Sequence, residues 1–302
     1  MPLNKYYLLF ILFISSASMV LAEGISVVDD SGQTIHLAQT AQRIISLSPG
    51  LTELVFASGG GDYLKGVVSF SDYPPAAQQL PRVGRYNALD MEQILILKPD
   101  LVIAWQSGNP AHQIEQLKKL GLIVYLSEPH ELMDIPKTMR HLGQLMGTQG
   151  IAEQQADLFI KQLKRLQQAQ SDNGRRKKRT FIQIWNKPVM SVNQQHLISK
   201  VISLCGGENI FAQTQTATPS LTLTPTIESI LEQNPEIIIA TGMADSSKQW
   251  LQRWQQWPYL DAVKNKRLYA VNPDHLVRHT PRILQGIKAV CQLINQAELS
   301  EL

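Results

Sequence analysis

One stretch of this chain occurs twice. Residues 90–104 read DMEQILILKPDLVIA and residues 226–240 read TIESILEQNPEIIIA. The match has no gaps and pairs Glu92 with Glu228, Ile94 with Ile230, Pro99 with Pro235 and Ile103 with Ile239. In each copy, apolar residues at helical spacing run to a proline break and then to a short β-branched strand. The residue before a proline is pushed from the α region, so the helix stops there and the strand begins. A strand as solidly apolar as Leu101, Val102, Ile103 and Ala104 must be covered on both faces, as in a parallel sheet. The openings of the two halves correspond as well. Residues 43–47 predict a strand that passes through Ser48-Pro49 into a helix over 53–57 and then Gly59-Gly60-Gly61. Residues 180–185 predict another strand, and a helix over 197–204 runs into Gly206-Gly207. Glycine just past a helix end suits the left-handed cap. Strands alternating with helices in both halves predict an α/β chain of two lobes.

Residues 151–170 contain good helix formers without Gly or Pro, and Ala156, Phe159, Ile160, Leu163 and Leu166 fall on one face. A helix of about 20 residues spans ~30 Å, enough to join two lobes as a stiff backbone. The alternative is an ordinary surface helix within one lobe. The start of the chain predicts export. Lys5 precedes an apolar run over residues 6–15, and Val20-Leu21-Ala22 fits a cleavage site after Ala22. Small residues close that run and no basic flank follows, which argues against an uncleaved anchor. No Cys lies near the cut to take a lipid. The expected organisation is a leader over 1–22, a first lobe over 23–147, a connecting helix over 148–172 and a second lobe over 173–302.

A formal net charge of +3 is too small to point to a nucleic-acid partner. The one basic run, Arg175, Arg176, Lys177, Lys178 and Arg179, reads as a solvated entry to the second lobe. Cys205 and Cys291 are an even pair in an exported chain, which suggests a disulfide worth ~4 kcal/mol in the chain-entropy picture. Two buried free thiols are the alternative. The sequence holds no GxSxG elbow, HExxH pair, P-loop or GxGxxG after a strand, so no residues nominate themselves for catalysis. Its histidines (His36, His112, His130, His141, His196, His275, His279) read as scattered surface residues and not as a metal site.

Several segments follow a known pattern: ISLSP at 45–49 with Thr52-Glu53, FSDYPP at 70–75, KPDLVIAW at 98–105 with Gly108-Asn109, and CGGENIF at 205–211. Together they resemble the periplasmic cobalamin (vitamin B12)-binding proteins of Gram-negative bacteria, over nearly the whole mature chain. SDYPP and KPDLVIAW set the pattern apart from siderophore- and haem-binding relatives. The resemblance implies two Rossmann-like α/β lobes with parallel sheets, joined by one rigid helix (the helical-backbone, class III type), with ligand held between them. It implies a monomeric, non-catalytic carrier with no resident cofactor, whose cargo is cobalamin or a related corrinoid and whose partner is an inner-membrane ABC permease dimer.

Carried over residue by residue, the implied ligand contacts are Phe70, Tyr86 and Trp105 in the first lobe and the loop Asp274, His275, Leu276, Val277, Arg278 in the second. The second lobe departs from the pattern. Met190 stands where relatives place an aromatic, residues 214–224 lack an expected Trp, and His275 replaces another aromatic, while Trp185 stands near enough to compensate. The resemblance also makes Glu92 and Glu228, in the first turns of the repeated helices, the anchors that pair with permease arginines. An acidic residue in a first turn is otherwise explained by the helix dipole, at ~0.3–1 kcal/mol. Haem with Tyr86 as axial ligand, a ferric siderophore held by Arg278 and Arg282, and a periplasmic enzyme are the alternatives.

Overall fold

The computed structural model describes residues 24–170, 176–214, 220–242 and 246–299. The expected leader with its cut after Ala22 lies outside the described residues, as does Arg175 of the basic run.

An antiparallel hairpin of β1 (Ile25–Val28) and β2 (Thr34–Leu37) precedes β3 (Ile44–Ser46), α1 (Pro49–Ala57) and β4 (Leu64–Val67). A short ribbon, β5 (Gly84–Arg85) and β6 (Ala88–Leu89), leads into α2 (Met91–Ile96) and β7 (Leu101–Trp105). The first lobe ends with α3 (Ala111–Lys119), β8 (Val124–Ser127) and α4 (Asp134–Met146), and α5 (Gln149–Ala169) follows. The second lobe begins with β9 (Lys178–Gln183), β10 (Trp185–Asn186), β11 (Val189–Val192), α6 (Leu197–Leu204) and β12 (Gly207–Asn209). It continues through β13 (Thr222–Leu223), α7 (Ile227–Gln233), β14 (Ile237–Ala240) and α8 (Ser246–Trp254). The last elements are α9 (Asp261–Lys264), β15 (Leu268–Ala270) and α10 (Ile283–Leu299).

Each lobe is built on a four-stranded parallel sheet, ordered β4-β3-β7-β8 in the first and β12-β9-β14-β15 in the second. By order of entry into the sheet, both run second, first, third, fourth. The direction of winding therefore reverses between the first and third strands, and the crevice at their carboxyl ends is where such sheets hold ligands. The repeated strands β7 and β14 take the third place in both sheets, with Leu101 to Ala104 and Ile237 to Ala240 fully buried, as strands covered on both faces must be.

The duplication extends to the backbone chemistry of the helix ends. Asp90 caps α2 by accepting the Gln93 N–H, and Thr226 caps α7 by accepting the Ser229 N–H. Both helices stop at a left-handed residue, Lys98 (φ 46°) and Asn234 (φ 40°), each just before the proline. The sequence predicts extended backbone there. The left-handed turn instead aims the last carbonyls at an arginine, Arg43 on Leu97 and Lys98, and Arg179 on Asn234. The same arginines donate their backbone N–H to Asp100 and Glu236. The spacing that relates the two copies carries Arg43 onto Arg179 and Asp100 onto Glu236, so each lobe owns the same clasp.

Helix α5 buries Ala152, Ala156, Phe159 and Leu163, with Ile160 and Leu166 half-buried. It packs on α4 of the first lobe and reaches α10 of the second. Arg140 of α4 holds Glu153 and Asp157 of α5, each at 2.7 Å. One hydrophobic cluster runs from Ile44 and Leu101 through Phe159 and Leu163 to Ile182, Ile239 and Val290. A helix packed into a core that both lobes share is a bridge and not a surface helix of one of them. Cys205, at the end of α6, is bonded to Cys291 of α10, with Cα atoms 4.5 Å apart across a sequence separation of 86. The free-thiol alternative is thereby removed.

Candidate functional site

The carboxyl edge of the first lobe gathers three aromatics. Asn109, buried after β7, accepts the Trp105 N–H and donates to the carbonyls of Leu47 and Tyr86. One amide therefore ties the ends of β3 and β7 to the turn that bears Tyr86. A Cβ at Gly108 would collide with the Trp105 ring, so glycine lets the indole fold over the loop. Tyr86 and Trp105 lie 6.1 Å apart, and the indole N–H of Trp105 reaches Glu128 at 3.3 Å. Ser69 binds the Gly84 carbonyl through its amide and its hydroxyl, which sets Phe70 beside the same ribbon. Phe70 is 56% exposed and has φ of 66°.

A cavity of about 450 Å³ opens between the lobes, lined by Phe70 and Asp72 from the first and by Lys248, Asn272, Asp274 and Arg278 from the second. Its floor is ionic. Glu53 stands in α1, where Leu51, Thr52, Leu54 and Val55 are also buried, and is itself only 3% exposed. It is engaged from the other lobe by Arg278 Nη1 at 2.9 Å and by Arg282 through Nε at 2.8 Å and Nη2 at 2.5 Å. Arg278 also donates to Asp72 at 2.6 Å and to the Phe70 carbonyl at 3.2 Å, and pairs with Asp274 at 3.1 Å. The Arg282 guanidinium lies 4.1 Å from the centre of the Tyr73 ring. Burial pushes the Asp72 carboxyl up, yet the hydrogen bond and charge of Arg278 hold it below the usual carboxylate range. Burial likewise disfavours the charge on Arg278, and Asp72 and Glu53 more than restore it.

Of the residues expected at the site, Phe70, Asp274 and Arg278 share this cavity, while Tyr86 and Trp105 stand outside its lining on the adjoining edge. Trp185 is exposed at the β10–β11 hairpin, opposite Met190 in register, and packs 6.3 Å from Trp250. Trp250 in turn lies against Gly242 in the cavity wall. In the second-lobe loop, His275 is half-buried and Val277 exposed. Leu276 is fully buried in the core cluster with Ile283 and Ile287 and anchors the loop. Sequence reasoning missed Glu53, Asp72 and Lys248. The signal for Glu53 was a charge inside an otherwise buried helical run, which demands a counter-charge from elsewhere.

A profile of the periplasmic binding protein family matches residues 44–275. The chain is 36% identical to the vitamin B12-binding protein of Vibrio cholerae over 258 residues, which is 85% of this chain and 91% of the relative. It is 34% identical to that of Yersinia pestis over 255 residues, 84% of this chain and 87% of the relative. The crystal structure of the periplasmic vitamin B12-binding protein of Vibrio cholerae superposes with a TM-score of 0.77, covering 85% of this chain and 98% of that one. The chain belongs to the periplasmic binding protein family. In this periplasmic binding protein, Glu92 and Glu228 both lie at the surface in the first turns of α2 and α7. Among the described residues no three His, Cys, Asp or Glu side chains gather as a metal site.

The histidines of this periplasmic binding protein are not all surface residues. His196 and His279 lie 5.2 Å apart, edge to face, beside the junction of the lobes. His196 Nδ1 accepts the Ile198 N–H at the start of α6, and His279 Nε2 is buried without a hydrogen-bond partner. Burial, with the charge of His130, lowers His279 from 6.5 to about 4, and burial lowers His196 as well. Above pH 6.5 both folded and unfolded chains hold His279 neutral, and stability does not depend on it. As pH falls from 6.5 towards 4, only the unfolded chain takes the proton, so stability is lost across that window, by on the order of 3 kcal/mol for His279. Urea midpoints between pH 7.5 and 4.5 should decline more steeply in the natural protein than in His279→Gln. Parallel declines would remove His279 from the explanation.

Proposed function

We propose that this chain is exported to the periplasm on a leader cut after Ala22, captures cobalamin between its lobes and delivers it to an inner-membrane ABC importer. The working lobes are residues 23–147 and 173–302, with residues 148–172 as the connecting backbone. The observation that carries this reading is the 36% identity to a vitamin B12-binding protein across 85% of the chain. The cleft chemistry supports it: Phe70, Tyr86 and Trp105 offer ring faces to a large macrocycle, and Asn272, Asp274 and Arg278 offer polar contacts to its amide rim. Trp185, Met190, His275 and Val277 complete the second-lobe wall, and Met190 and His275 tune the choice among corrinoids. The protein acts as a monomer, cobalamin is cargo and not a cofactor, and Glu92 and Glu228 meet the two permease subunits, one per lobe.

Calorimetric titration of the mature protein with cyanocobalamin, haemin and a ferric siderophore tests the cargo. Saturable one-to-one uptake of cyanocobalamin is the expected result. Preference for haemin, with a Soret band that shifts in Tyr86→Phe, would assign haem instead.

A further inference from the structure

Five charged side chains meet where the lobes join, Glu53 and Asp72 from the first and Asp274, Arg278 and Arg282 from the second. Three carboxylates thus contend for two guanidinium groups. They are not equivalent. Glu53 is buried and gripped on both oxygens by Arg282, so it is fixed. The Asp72 side chain is 50% exposed, lines the cavity, and among the described ion pairs touches only Arg278. Its place is held from behind: Ser71 is buried and its hydroxyl accepts from Thr52, while the Ser71 carbonyl accepts from Arg82. One residue earlier, Phe70 holds a left-handed φ of 66°, a costly conformation for an aromatic residue, and its carbonyl is pinned by Arg278. A single guanidinium of the second lobe therefore clamps both ends of the turn that carries Phe70 over the cavity.

We propose that Asp72 is a built-in competitor for Arg278: a guest with amide or phosphate oxygens takes the guanidinium edge that Asp72 holds, and Phe70 is released from its clamp. The inference rests on the cargo proposed above, whose amide and phosphate groups supply such oxygens. The competition weakens capture and assists delivery. As the guest leaves, Asp72 recovers Arg278, so the guanidinium that anchored the guest is not left without a partner. A binding protein that must surrender its cargo gains from holding a replacement ligand for its own cation.

Asp72→Asn keeps the side-chain shape and removes the charge. Titrated with cyanocobalamin, it should bind about tenfold more tightly than the natural protein, and Asp72→Glu should return affinity towards the natural value. Equal or weaker binding by Asp72→Asn overturns the proposal, and so does an Asp72→Glu variant that binds as tightly as Asp72→Asn. If the natural protein takes up no cyanocobalamin, the cargo reading fails and the clamp is judged without a guest. The Arg278 Nε–H resonance, assigned through Arg278→Lys, should then shift and broaden in Asp72→Asn. An unmoved resonance overturns the clamp itself.

Discussion

Glu53→Ala should lower the folding stability of this protein by about 3 kcal/mol, at the lower end of what breaking a buried ion pair costs. Glu53 is 3% exposed, and the side chains that meet it, Arg278 and Arg282, are 13% and 14% exposed. Removing it strands two largely buried cations. Both retain Asp274, and Arg278 retains Asp72, which keeps the loss from being larger. Glu53→Gln preserves an acceptor oxygen and should fall between the natural protein and the alanine variant. Urea unfolding followed by tryptophan fluorescence reads both. A Glu53→Ala variant within 1 kcal/mol of the natural protein would show that water enters the junction and screens the cations, and that the floor of the cleft is not dry.

The second large effect is expected at the membrane. Glu92→Arg together with Glu228→Arg should reduce ligand import by at least ~100-fold, each single change contributing about tenfold, since like charges would then face each other across the proposed docking contact. Affinity for cyanocobalamin should stay within about twofold, because both residues stand in the first turns of surface helices and neither lines the cavity. Import into vesicles bearing the permease, measured beside calorimetry on the same preparations, separates the two quantities. Undiminished import would dismiss these glutamates as dipole-stabilising residues of no wider use. Loss of ligand binding would place them in the cleft.

Local signals made the lobes legible. The repeat, the apolar strands and the proline breaks are properties of short windows, and they located β7, β14 and the helices before them. The extent of α5 was readable because one face of a long unbroken run is apolar. The clasps were harder, because Arg43 and Asp100 lie 57 residues apart and nothing local joins them. The cleft floor was harder still: Arg278 and Glu53 are separated by 225 residues, and a lone charge in a helix does not name its partner. Phe70, Asp274 and Arg278 were placed together by resemblance to a family and not by periodicity. Pattern matching does not say which residue of the loop supplies its buried foot, and the structure gives that place to Leu276. His196 is buried and His279, half-buried, packs edge to face against it, an arrangement that no spacing reveals.

The shared strand order and the twin Arg43 and Arg179 clasps make the two halves near copies in their frames, but their cleft faces have diverged. One lines the cavity with Phe70 and Asp72, with Tyr86 and Trp105 on the adjoining edge, and the other lines it with Lys248, Asn272, Asp274 and Arg278. Matching jaws on a pseudo-twofold frame would admit a lopsided molecule either way round. Unlike jaws favour one orientation, so a bound guest should lie the same way round in every copy.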